Sequence, residues 1–150
     1  MEDLVSFKSA KSQLRALLDG VKEHITILSN ASAFINEYLK DINWVGFYLV
    51  KDNDLILGPF QGRPACAFIP FGKGVCGTCL EKKETVLVNN VHEFSGHIAC
   101  DYRTNSEIVV PLFKNGEVVC LLDIDSESYC RFNDQKEEIE EFAKIIEEFL

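Results

Sequence analysis

Apolar positions recur at helical spacing through the N-terminal part of the chain, at Phe7, Ala10, Leu14, Leu17 and Val21. They resume at Ile25, Leu28, Phe34, Ile35 and Leu39, so the spacing predicts two helices with Gly20 as the break between them. At Trp44 the period changes. The run WVGFYLV is aromatic and β-branched, and DND separates it from LILGPF, which predicts a hairpin. Ala65–Pro70 reads as a further strand, GKG precedes a short helix near Val75–Lys82, and Thr85–Val88 reads as a brief strand. A polar stretch with little periodicity follows from Asn89 to Ser106. EIVVPLF and EVVCLLDID then flank Lys114, Asn115 and Gly116, and Asn-Gly between β-branched runs is a strong hairpin signal. The last segment carries a stripe of Ile139, Phe142, Ala143, Ile146 and Phe149, with Asp134 and Glu137 spaced as a capping box at its start.

These elements predict an α+β domain spanning residues 1–150. A central, largely antiparallel sheet carries the N- and C-terminal helices on one face and loops on the other. The stretch from Asn89 to Ser106 is long for a connection, and such loops are usually lids or binding loops. With 150 residues and 47% hydrophobic composition, the chain can bury a sufficient core without disulfide staples, so its six cysteines need another account. The net charge of −9 argues against nucleic acid, whose phosphates call for the opposite sign. From Asp134 onward seven acidic and two basic residues read as a solvated helix face. No apolar run is long enough for a bilayer, and MEDLVSFKSAKSQ lacks the basic and apolar regions of a signal peptide, so no membrane partner and a cytoplasmic location are expected. In a reducing compartment clustered cysteines point to metal binding or redox catalysis.

Cys120, in VVCLLD, reads as a small buried hydrophobe, and Cys130 has no functional context. The other four fit two chemistries. Cys76 and Cys79 form C-x-x-C, and His97 with Cys100 forms H-x-x-C, two pairs such as tetrahedral zinc takes. Alternatively Cys100, in the loop segment GHIACD, is a reactive thiol that His97 would favour as thiolate and Asp101 would oppose. Such a thiol needs a resolving partner, for which Cys66, Cys76 and Cys79 are candidates, the last two at a helix start whose dipole lowers thiol pKa values. Asp123 and Asp125, two apart in a strand, share a face, and Glu107 opens the strand paired with theirs. Three neighbouring carboxylates repel unless a cation, a metal or shared protons offset them, and together they look like a pocket for an ammonium group. Trp44 and Tyr48, four apart, face one side as an aromatic wall.

The runs GPFQGRPACAFIPFGKGVCGT, VHEFSGHIACD, NSEIVVPL and LLDIDS closely resemble the free methionine-(R)-sulfoxide reductases, which have the GAF fold. The resemblance extends from about Asn43 to the C-terminal helix and holds the motifs in family order. It implies reduction of free L-methionine-(R)-sulfoxide by Cys100 as attacking thiol, with Cys66 and Cys76 as the other two characteristic cysteines and Cys66 usually the resolving one. It places Trp44 and Tyr48 at the thioether end of the substrate and Glu107, Asp123 and Asp125 around its polar atoms. It further implies an intramolecular disulfide recycled by thioredoxin and a homodimer; no metal or other cofactor is expected, since a core of this size needs no metal for stability. Cys79 stands where the family more often has alanine and Cys120 where it often has glycine, which keeps Cys79 open as a resolving thiol. Two rival readings are a noncatalytic GAF sensor of small molecules and a zinc-stabilised module.

Overall fold

Two tight turns organise the sheet in the computed structural model, which describes residues 6–98 and 100–150. Asn115 and Gly116 both have positive φ, 53° and 81°, the left-handed pair of a type I′ turn, and join β5 (Ser106–Lys114) to β6 (Glu117–Ser126). Asp52 and Asn53, at 51° and 69°, likewise join β1 (Trp44–Lys51) to β2 (Asp54–Gly62). With β3 (Phe68–Ile69) and β4 (Val86–Val88) these strands form a six-stranded sheet in the order β3-β2-β1-β6-β5-β4. Every neighbouring pair is antiparallel.

Side chains alternate across this sheet and separate two cores. Val45, Phe47, Ile108, Val110, Leu112, Cys120, Leu122 and Ile124 face a layer made of α1 (Phe7–Leu18), α2 (His24–Tyr38) and α4 (Lys136–Glu147). In that layer Phe142 receives Phe7, Phe34 and Tyr38 edge-on, at centroid distances of 5.4, 6.0 and 5.2 Å. On the other face Trp44, Tyr48, Val109 and Leu121 meet α3 (Gly74–Lys82) and the loops. The expected placement of terminal helices on one face and loops on the other is thus observed.

Four details differ from the sequence reading. The α1 stripe advances by four residues through Ala10, Leu14 and Leu18, leaving Leu17 38% exposed. In α2 the buried set is Ile27, Leu28, Ala31, Ser32 and Ile35. Ile25 lies about a quarter turn from the centre of that set and is 69% exposed. Gln135, rather than Asp134, precedes α4, and its Nε2 donates to Glu138 Oε1 at 3.1 Å, one residue beyond the expected capping pair. Of Ala65–Pro70 only Phe68 and Ile69 pair as a strand, because side chains from β1 take carbonyls in the preceding loop, as described below. No helix among the described residues is long and apolar enough to cross a membrane.

Candidate active site

Antiparallel register brings the three acids together. Glu107 on β5 is paired with Asp125 on β6, and Asp123 and Asp125 lie opposite Gly46 and Trp44 on β1. Asp123 and Glu107 are buried, and among the described residues no Lys or Arg pairs with any of the three. Burial, and then the charge of Asp123, pushes Glu107 and Asp125 well above the usual carboxylate range. Asp123 is also raised by burial but is held back by hydrogen bonds from Glu107 and Cys76. Asp123 Oδ1 and Asp125 Oδ1 are buried without a fixed donor, so the hydrogen available to them is one carried by a neighbouring carboxyl. The cluster is a set of acceptors short of positive charge.

An aromatic wall rises beside it. Trp44 stacks on Tyr48 at 6.0 Å and on Phe60 at 5.2 Å. The stack requires Gly46 between the two β1 aromatics, since a Cβ there would meet Phe60 Cβ at 2.3 Å and Trp44 Cη2 at 2.8 Å. Both polar tips hold the loop that carries the first cysteine. Trp44 Nε1 donates to the Arg63 carbonyl at 3.0 Å, and Tyr48 Oη donates to the Cys66 carbonyl at 2.9 Å.

Cys66 and Cys100 form a disulfide with a Cα–Cα distance of 5.5 Å, so the structure is that of an oxidised state. The Cys100 loop is fastened to Asn43, the residue before β1, through Asp101, whose carboxylate accepts Asn43 Nδ2 at 3.3 Å and the Arg103 backbone N–H at 3.0 Å. The Asn43 amide also donates to Thr104 Oγ1 at 3.1 Å. Burial pushes the Asp101 carboxyl up, but the Arg103 N–H and guanidinium and the Asn43 amide together outweigh it and hold the group low. Asp101 therefore acts as an anchor for the loop. Its spacing to the Arg103 N–H is that of an Asx turn, the one signal by which sequence reasoning reaches this role; it missed Asn43 and Thr104.

Cys76, in the first turn of α3, donates its thiol to Asp123 Oδ2 at 3.4 Å. The expectation that the helix start lowers the pKa values of Cys76 and Cys79 is not met. Burial and the charge of Asp123 outweigh the dipole, raising Cys76 well above the ordinary thiol value and Cys79 to about 12. Cys79 is fully buried, donates to the Val109 carbonyl at 3.7 Å and does not line the cavity that Cys100 borders. Cys76, Cys79, His97 and Cys100 thus do not converge as a zinc set, Cys100 being bonded to Cys66. His97 lines the same cavity as Cys100, and burial lowers its pKa, favouring the neutral ring. Cys120 lies on the helix-facing side of the sheet, and Cys130 is exposed.

The predicted site residues Trp44, Tyr48, Cys76, Cys100, Glu107, Asp123 and Asp125 line one cavity of about 40 Å³, with Cys66 at its mouth through the disulfide. Chemically this is an apolar wall, a proton-sharing acidic floor and a disulfide at the edge.

A family model describing the GAF domain matches residues 14–147. The free methionine-R-sulfoxide reductase of Escherichia coli is 49% identical over 82% of this chain and 74% of its own length. The structure of fRMsr of Staphylococcus aureus in its reduced form superposes with a TM-score of 0.94 at 49% identity, covering 100% of this chain and 99% of that one. The free methionine-R-sulfoxide reductase of Neisseria meningitidis, in complex with its substrate, gives a TM-score of 0.92 at 38% identity over 99% of this chain and 90% of that one.

Proposed function

The chain belongs to the GAF-domain family of free methionine-R-sulfoxide reductases, and on that premise we propose how its residues reduce free L-methionine-(R)-sulfoxide to methionine. The Cys100 thiolate attacks the sulfoxide sulfur, and the sulfoxide oxygen takes up a proton as the S–O bond breaks. Glu107, whose carboxyl burial and the charge of Asp123 push well above the usual carboxylate range, is placed to supply it as a general acid. Cys66 then closes the disulfide with Cys100. The sum balances: sulfoxide and two thiols give thioether, disulfide and water, with two electrons passing from sulfur to sulfur.

Trp44 and Tyr48 hold the methyl and thioether by apolar and sulfur–aromatic contact, worth about 0.3–1.5 kcal/mol for the latter. Asp123 and Asp125 face the substrate ammonium. Cys76 stands in reserve as a second partner for Cys100. A thioredoxin-type dithiol restores the thiols, residues 1–150 act as one GAF unit, and the protein works as a cytoplasmic homodimer without metal or other cofactor. The observation that carries the reading is the Cys66–Cys100 disulfide at the mouth of a cavity with an acidic floor and an aromatic wall.

The experiment is methionine formation from separated R and S sulfoxides, free and N-acetylated, with dithiothreitol or thioredoxin. Turnover of the free R form alone is expected. Equal turnover of the N-acetyl form would overturn the role of the acids, because losing the partner of a desolvated charge should cost about 2–5 kcal/mol. Absence of turnover with every sulfoxide would favour a sensor.

A further inference from the structure

The acidic floor contains more than an ammonium site needs. Cys76 Sγ and one oxygen each of Glu107 and Asp123 lie within 4.8 Å of one another, all three residues buried. Cys76 Sγ is already 3.4 Å from Asp123 Oδ2. Donors around a tetrahedral ion with bonds of 2.0–2.3 Å sit about 3.3–3.8 Å apart, so small side-chain rotations close the set. Asp123 is only 5% exposed and its Oδ1 has no partner, which leaves a buried acceptor aimed into the cavity. All three residues line the cavity that Cys100 also borders, so an ion has a route to them.

We propose that Cys76, Glu107 and Asp123 bind a thiophilic divalent cation, of the Zn²⁺ or Cd²⁺ type, which blocks the amino-acid site. A thiolate ligand favours such ions over Mg²⁺ or Ca²⁺, which take oxygen ligands in larger number. Binding releases the Cys76 and Glu107 protons to solvent, and the ion then supplies the positive charge that the acids lack. The fold does not depend on this ion, since its core is complete without it; the ion acts as an inhibitor. This set shares only Cys76 with the C-x-x-C and H-x-x-C candidates of the sequence. Its claim to block the amino acid rests on the proposed substrate reading, whereas the metal site itself does not.

The oxidised protein offers a clean test, because the disulfide removes Cys66 and Cys100 as competing ligands. Titration with Cd²⁺, followed by thiolate-to-metal absorption and by metal analysis after gel filtration, should give one ion and one thiolate per chain. The signal should vanish in Cys76→Ser, persist in Cys130→Ser and weaken at least tenfold in Asp123→Asn. No saturable binding, or binding that survives Cys76→Ser, overturns the site. In Cys66→Ser/Cys100→Ser, whose mouth cannot close, methionine should displace Cd²⁺. Cd²⁺ held through Cys76 but indifferent to methionine would overturn the inhibitory role and the ammonium placement while leaving the metal site in force.

Discussion

At the scale of single residues, the cysteines differ by environment rather than by chemistry. Cys100 sits half-buried on a loop, bonded to Cys66, while Cys79 is fully buried with its thiol turned to a carbonyl and its pKa raised to about 12. Thiolate is the nucleophile, so only the first is placed to react. Cys100→Ser should therefore lower turnover by about a thousandfold or more while methionine still binds, since a serine hydroxyl is hardly ionised at neutral pH. Steady-state assay and calorimetry check this, and substantial residual activity would remove Cys100 from the mechanism. Cys79→Ala should leave both turnover and the Cys66–Cys100 bond unchanged at a stability cost of about 1 kcal/mol. Peptide mapping after one equivalent of substrate decides that: a wild-type Cys79–Cys100 bond would make Cys79 the resolving thiol instead. The sequence raised Cys79 as a candidate because C-x-x-C spacing and a helix start were visible in it; the burial that silences the thiol arises from β5 and could not be.

Among the elements, β1 does most to build the cavity. Its alternation sends Val45 and Phe47 into the helical layer and Trp44 and Tyr48 into the site, where their polar tips seize the Cys66 loop. That alternation was legible, and so were both hairpins, because each depends on neighbours in sequence. The loop capture was not, since it joins an indole and a phenol to carbonyls far along the chain, and it is what shortened the strand expected over Ala65–Pro70. The Asn43–Asp101–Thr104 fastening escaped notice for the same reason. Gly46 tests how far this element matters. Gly46→Ala would press a methyl into Phe60 and Trp44, and overpacking of that kind costs about 1–3 kcal/mol. The expected outcome is a lower Tm with altered tryptophan fluorescence and a raised KM, with the larger loss in KM if the indole gives way first. An unchanged emission spectrum and KM would show that the aromatic stack is not a rigid wall.

Taken as a whole, the molecule accepts a destabilised floor for the sake of the site. The sequence displayed the acids as a group because Glu107, Asp123 and Asp125 fall on strands whose pairing the Asn-Gly turn announces. What it could not display is the burial of Glu107 and Asp123 with no Lys or Arg beside them among the described residues, a property of the assembled cavity. That property has a pH signature. Burial raises Glu107, Asp123 and Asp125 above their ordinary values of 4.5, 3.8 and 3.8, so above those values the folded state holds protons that the unfolded chain has released. Their contribution to stability is complete below the ordinary range and is lost as pH rises through the raised folded values, by about 1.4 kcal/mol per pH unit for each group still protonated in the fold. His97 acts in the opposite sense: its lowered pKa means that stability falls as the pH drops below the ordinary histidine value of 6.5. Comparison with Glu107→Gln isolates the acids, because His97 is common to both proteins. The ligand-free wild type should lose stability with rising pH relative to Glu107→Gln, by roughly one proton's worth of slope in denaturant midpoints taken from pH 5 upward. Parallel profiles would mean that Glu107 is ionised in the fold, and then a different group must protonate the sulfoxide oxygen.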